Sequence, residues 1–151
     1  MPIHNDCNGP LPPISAERLA DRGFLLSVEV SPPEDLARLL TAQVTPTDLA
    51  ATGYALVDSG ASCCCVEDAV LRRLQLQPIR RTAVRSPNGT RQQSVYIARL
   101  SFPGTPIPAV EMRVVGVQLD DEQTIALVGR DFLRRCLLVY NGPMGSCTLS
   151  L

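Results

Sequence analysis

From about residue 23 onward, apolar and polar residues mostly alternate with the two-residue period of strands, broken by short stretches of helical spacing. Phe24-Leu25-Leu26-Ser27-Val28-Glu29-Val30 predicts a strand. Ser31-Pro32-Pro33-Glu34 then reads as a capping box with proline at the first helical position, so a short helix is expected over roughly 33–42. After a loop containing threonine and proline, the apolar strand Tyr54-Ala55-Leu56-Val57 delivers Asp58 into a turn that Gly60 permits. Val66, Val70, Leu71 and Leu74 recur at helical spacing, with Glu67, Asp68, Arg72 and Arg73 on other faces, which predicts a helix over 66–75 bounded by Pro78. Strand alternation returns over Thr82–Arg85, Ser94–Phe102 and Ala109–Val117, with Pro87-Asn88-Gly89 suited to a hairpin tip. Ile125–Gly129, a brief charged helix Arg130–Arg135, Leu137–Tyr140, a turn at Gly142–Gly145 and a last strand Ser146–Leu151 complete a mostly β domain with two or three short helices.

Residues 1–22 break this pattern. Asn5, Asp6, Asn8, Gly9, Pro10, Pro12 and Pro13 favour turns and extended chain over packing, so the segment reads as a flexible arm preceding a domain at 23–151. Such an arm is a plausible place for self-processing. A length of 151 residues suits one domain with one core. The net charge of −1, with acids and bases scattered, offers no footprint for nucleic acid or an anionic membrane, and a peptide or protein partner is the more natural expectation. No window supplies the run of about twenty apolar residues a membrane span needs, and no secretory leader pattern opens the chain, so a cytoplasmic protein is expected. Six cysteines, at positions 7, 63, 64, 65, 136 and 147, are unlike the spaced framework of a small secreted domain and are expected to be reduced.

Two segments far apart in sequence match as a pair: an apolar strand ending in Asp58-Ser59-Gly60-Ala61, and Leu127-Val128-Gly129-Arg130-Asp131 at the close of another. On these motifs, in this order and with a hairpin between them, the chain resembles the retropepsin-like aspartic proteases over about 23–151. The tripeptide Asp-Ser-Gly alone is a common turn; the paired second motif makes the resemblance specific. It implies a retropepsin-like acid-protease fold, in which each chain forms a closed, barrel-like half with a flap hairpin and the complete enzyme is a homodimer. It implies Asp58 as the catalytic residue, supported by Ser59, Gly60 and Ala61. Ser59 would brace the pair of aspartates across the two-fold axis; otherwise it is an ordinary turn serine. The flap would be formed by Ser86, Pro87, Asn88 and Gly89. Leu127, Val128, Gly129, Arg130 and Asp131 would line the cleft or support it, with Arg130 and Asp131 forming a structural ion pair. The last strand would interleave with that of a second chain or lie as an edge strand within its own. Many retroviral members carry a carboxylate where this chain has Ser62, and their flaps are richer in glycine.

The chemistry agrees with the motif. Hydrolysis of a peptide without metal or covalent intermediate needs one group to accept a proton from water and another to donate one to the scissile carbonyl. Two carboxyls within about 3 Å share a proton and serve both roles. One chain has one such motif, so an isologous dimer is required. The expected function is therefore an aspartic endopeptidase acting on peptide or protein substrates, with no cofactor and no metal. The alternative is a catalytically silent, dimeric peptide-binding or regulatory module. Contiguous Cys63-Cys64-Cys65 cannot all face one tetrahedral zinc ion, and His4, the only histidine, has no nucleophile-elbow partner for a serine hydrolase. A cysteine beside the site could bring redox control. Val84, Ile97, Leu127 and Val128 are candidates for the cleft wall.

Overall fold

The structure, a computed structural model, describes residues 3–7, 12–40, 49–86 and 89–151, with 3–7, 12–15 and 86 described by backbone alone. The first elements are β1 (Ile3–Cys7), α1 (Pro12–Arg22), β2 (Leu25–Ser31), α2 (Glu34–Leu40), β3 (Ala51–Val57), β4 (Cys65–Glu67) and α3 (Asp68–Arg73). They are followed by β5 (Arg80–Ser86), β6 (Gly89–Ser101), β7 (Val110–Val117), β8 (Thr124–Val128), α4 (Arg130–Leu133), β9 (Leu137–Asn141) and β10 (Ser146–Ser150). Their burial follows the two-residue period: β2 buries Leu26, Val28 and Val30 and turns Ser27 outward, as a strand with one covered face must.

A seven-stranded sheet runs in the order β2-β3-β8-β4-β7-β6-β5, and β2 pairs again with the far end of β6 through Glu29 and Ser101. The sheet thus closes on itself. This is the mostly β, barrel-like architecture expected, with the β5–β6 hairpin projecting from it. Closure gives β2 a partner on both sides and leaves β5 as the outer strand of this sheet. Inside lie Leu26, Val28, Val66, Leu71, Leu100, Val114 and Val128, continuous with Phe132 of α4, whose ring meets that of Phe102 at 5.6 Å and 55°. Among the described residues, no helix is long and apolar enough to cross a membrane.

The structure departs from the sequence reading in several places. Residues 66–75 begin as a strand, because Val66 is pinned between β8 and β7 before the helix starts at Asp68. Non-local pairing overrides a helical periodicity that is genuine only from Val70 onward. Ser31 ends β2 rather than capping α2; Glu34 instead pairs with Arg38 and Arg99. Residues 1–22 are not a wholly uncompacted arm: Ile3–Cys7 pairs with β10, and Pro12–Arg22 is helical with Leu19 buried in the core. Proline is tolerated in the first turn of a helix, so Pro12 and Pro13 begin α1 rather than prevent it. This helix adds to the two or three expected.

The last strand is not an edge within its own chain. β10 lies between β1 and β9 in a three-stranded antiparallel sheet, with Cys147 and Leu149 buried. Its hydrogen-bonding edges are used within the chain, and the outer strand β9 leaves Leu137, Val139 and Tyr140 exposed.

Phe132 joins α4 to the barrel and is 2% exposed. Phe132→Ala is expected to destabilise the protein by about 3–5 kcal/mol, seen as a lower urea midpoint at unchanged m-value.

Candidate active site

Asp58 sits where β3 ends, and the position is set by the neighbouring strand. β3 and β8 run parallel with Leu56 beside Leu127 and Val57 beside Val128, and the Asp58 N–H donates to the Val128 carbonyl at 3.0 Å. Beyond that point both chains turn away from the sheet. The turn after Asp58 closes through the Ala61 N–H on the Asp58 carbonyl at 3.2 Å, while the Gly60 N–H donates to Asp58 Oδ1 at 2.7 Å. Asp58 Oδ2 has no hydrogen-bond partner among the described residues, and the half-buried carboxylate lines an open cleft. A Cβ at position 60 would stand 2.9 Å from Asp58 Oδ1, so glycine lets the amide reach the carboxylate.

The second motif locks onto the first. A Cβ at Gly129 would lie 2.4 Å from the backbone carbonyl carbon and oxygen of Cys63, so only glycine allows the chains to pass this closely. The Gly129 N–H donates to Cys64 Sγ at 3.3 Å, and the Arg130 N–H to the Ala61 carbonyl at 3.0 Å. Arg130 Nη1 donates to the carbonyls of Ser59 and Gly60, both at 2.9 Å. Asp131 Oδ1 accepts from the N–H groups of Cys64 and Phe132, each at 2.9 Å. The expected Arg130–Asp131 ion pair is therefore absent, since adjacent helical residues do not face each other and each side chain binds backbone of the 59–64 loop instead.

The cleft has a volume of about 710 Å³. It is lined by Asp58, Gly60, Ala61, Cys63 and Cys65, by Val84, Arg85, Arg91 and Gln93 of the β5–β6 hairpin, and by Val117–Asp120 and Leu127. The 117–120 wall is held by the Leu119 N–H on Glu67 Oε2 at 2.6 Å. Among the proposed cleft residues, Val84 and Leu127 line it, but Val128 is buried in the core and Ile97 lies outward on β6. Neighbours on a strand face opposite ways, which separates Leu127 from Val128. Ser59 is exposed and its hydroxyl has no partner among the described residues. The hairpin pairs down to Ser86 and Gly89; Pro87 and Asn88, also expected at its tip, lie outside the described residues. Arg85, Arg91, Gln93 and the 117–120 wall were not singled out from sequence, because their place depends on the hairpin register and on Glu67.

The three cysteines divide by strand alternation. Cys64 is buried, and burial pushes its thiol up. Cys65 donates to the Cys63 carbonyl at 3.5 Å; its hydrogen bonding with Cys63 and its burial push its thiol up. Cys63, half-buried in the cleft, is held down to about 6 by hydrogen bonding from Cys65 and then from Ser62, against the opposing effect of burial.

The model of the family described as "gag-polyprotein putative aspartyl protease" matches residues 51–135, from the start of β3 through α4. The chain belongs to this family. The match spans the Asp58 and Gly129 motifs and the hairpin between them, so the retropepsin-like fold follows with it. Solved structures with a likeness include the simian foamy virus (mac) protease, at 22% identity over 74% of this chain and 92% of that one, with a TM-score of 0.46. Another is the EIAV protease complexed with the inhibitor HBY-793, at 18% identity over 56% and 76% of the two chains, with a TM-score of 0.42. No curated protein matches the sequence.

Two measurements test this geometry. Gly129→Ala should lower stability by about 1–3 kcal/mol in thermal unfolding, because its Cβ forces the 59–64 loop off β8. Because the Cys63 thiol is lowered, its thiolate forms as pH rises through about 6. Iodoacetamide labelling followed by peptide mass spectrometry should find Cys63 modified well before Cys64 or Cys65 at pH 7, with the rate rising between about pH 5 and 7 and then levelling.

Proposed function

We propose that the protein is an aspartic endopeptidase that acts as a homodimer, with Asp58 of each copy forming one catalytic pair. The observation that carries this reading is the placement of Asp58: a carboxylate at a strand end, one oxygen fixed by the Gly60 N–H and the other unpartnered, lining a cleft large enough for a peptide segment. Family membership supports the same reaction class.

In this mechanism two Asp58 carboxyls meet across a two-fold axis and share one proton. The ionised member takes a proton from water as that water attacks the scissile carbonyl; the protonated member donates to the carbonyl oxygen. The tetrahedral species then collapses, a proton passes to the departing nitrogen and the carbon–nitrogen bond breaks. Gly60 would keep each carboxylate in plane through its N–H, and Arg130 would hold the loop that carries them. Ser59, exposed in one chain, is free to brace the second copy. The β5–β6 hairpin would cover the substrate and exclude water. Leu137, Val139 and Tyr140, exposed along β9, offer apolar surface to associating copies.

Asp58→Asn should fold normally and lower cleavage of a fluorogenic peptide library by at least about a hundredfold, the scale of removing an acid–base group. Sedimentation equilibrium should find dimers under conditions in which the wild type cleaves. A dimer that cleaves no peptide would favour the silent binding module; cleavage by a strict monomer would overturn the shared-pair mechanism.

A further inference from the structure

The chain carries almost no net charge, yet its cleft is polarised. Arg80, Arg81, Arg85 and Arg91 all fall on the β5–β6 hairpin, and no acidic residue lies between 80 and 91. The lining segment 117–120 ends in Asp120, followed by Asp121 and Glu122. The hairpin register decides which arginine faces inward. Val84 pairs with Arg91, and Thr82 with Gln93, so these side chains share one face. Val84 packs against the apolar cluster of Cys65, Val95 and Val115 beside the cleft, so that face points into the cleft. Arg91 therefore lines the cleft on the same face as Val84 and Gln93, whereas Arg85, paired with Thr90, alternates to the other face of β5 and borders the cleft nearer the tip.

Three arginines line the cleft, but they are not equivalent. Arg130 is committed to the carbonyls of Ser59 and Gly60. Neither Arg85 nor Arg91 has a carboxylate partner within ion-pair distance among the described residues. A planar guanidinium without a partner, beside an apolar wall, suits a carboxylate on a bound chain. Asp120, which also lines the cleft, would repel the same carboxylate and so restrict where it binds.

We propose that Arg91 forms an acidic-side-chain subsite, so that the cleft selects peptides carrying Asp or Glu beneath the hairpin. The proposal rests on the endopeptidase reading for turnover but not for binding. The hairpin lacks aromatic residues between its arginines for stacking bases, which favours a peptide over single-stranded nucleic acid.

The test has two arms on the full-length protein. In the first, wild type is given a fluorogenic library in which each position holds Glu, Ala or Lys. Glu at one or two positions should improve kcat/KM about tenfold over Ala, mainly through KM, the scale of one charge-assisted hydrogen bond. Arg91→Glu should shift the preference to Lys, Arg91→Lys should retain part of it, and Arg85→Glu should weaken it less than Arg91→Glu does; raising salt should reduce it. In the second, binding of labelled Glu-, Ala- and Lys-containing peptides to Asp58→Asn is followed by fluorescence anisotropy, which reads selectivity even if no peptide is cleaved. Absence of cleavage with selective binding sinks the endopeptidase reading and leaves the subsite standing. Equal handling of Glu and Ala in both arms overturns the subsite, as does a preference that survives Arg91→Glu in a variant whose circular dichroism is unchanged. Equal peptide binding alongside tight, salt-sensitive binding of a single-stranded RNA would assign the hairpin to nucleic acid and also overturn it.

Discussion

The whole site depends on how closely two chain segments pass where β3 and β8 end. Gly129 lies against the backbone of Cys63 at a separation that admits no side chain, and this contact brings the Asp58 turn and the α4 start into one unit. Around it the polar groups of both segments are satisfied mutually: the Asp58 N–H on Val128, the Arg130 N–H on Ala61, and the Cys64 N–H on Asp131. Bonds to the Asp131 carboxylate are charge-assisted and contribute about 1.5–3 kcal/mol each. A loop that would otherwise be mobile therefore has little freedom, and a carboxylate built on it keeps its aim.

The same constraint explains the division of labour among neighbouring residues. Arg130 and Asp131 bind the backbone of the loop rather than each other, so their contribution is positional. Cys64 fills the joint, whereas Cys63 and Cys65, on the other side of the extended segment, face the cleft. Leu127 looks into the cleft and Val128 into the core. A single strand thus supplies both the wall of the site and the packing that holds it, and a change at one position is felt at the other through the backbone.

Much of this is legible in the residues themselves. The period-two burial of β2, the apolar run into Asp58, the pairing of β5 with β6 and the Gly129-Arg130-Asp131 start of a helix all follow from local patterns that tolerate few alternatives. The strand β4, the helix α1 and the interior place of β10 do not. Each exists because a partner distant in sequence covers it: β7 and β8 for β4, the core around Leu19 for α1, and β1 and β9 for β10.

By itself, then, the sequence determined the mostly β class and the two paired motifs, and marked Asp58 as the residue on which the proposed chemistry rests. Only the tertiary structure decided which side chains share the cleft with it. Arg91 reaches that cleft because the β5–β6 register sets Val84 opposite it, and Leu119 because the Glu67 carboxylate holds its amide. Such placements depend on register and on contacts between segments far apart along the chain, and neither leaves a local trace in composition or periodicity.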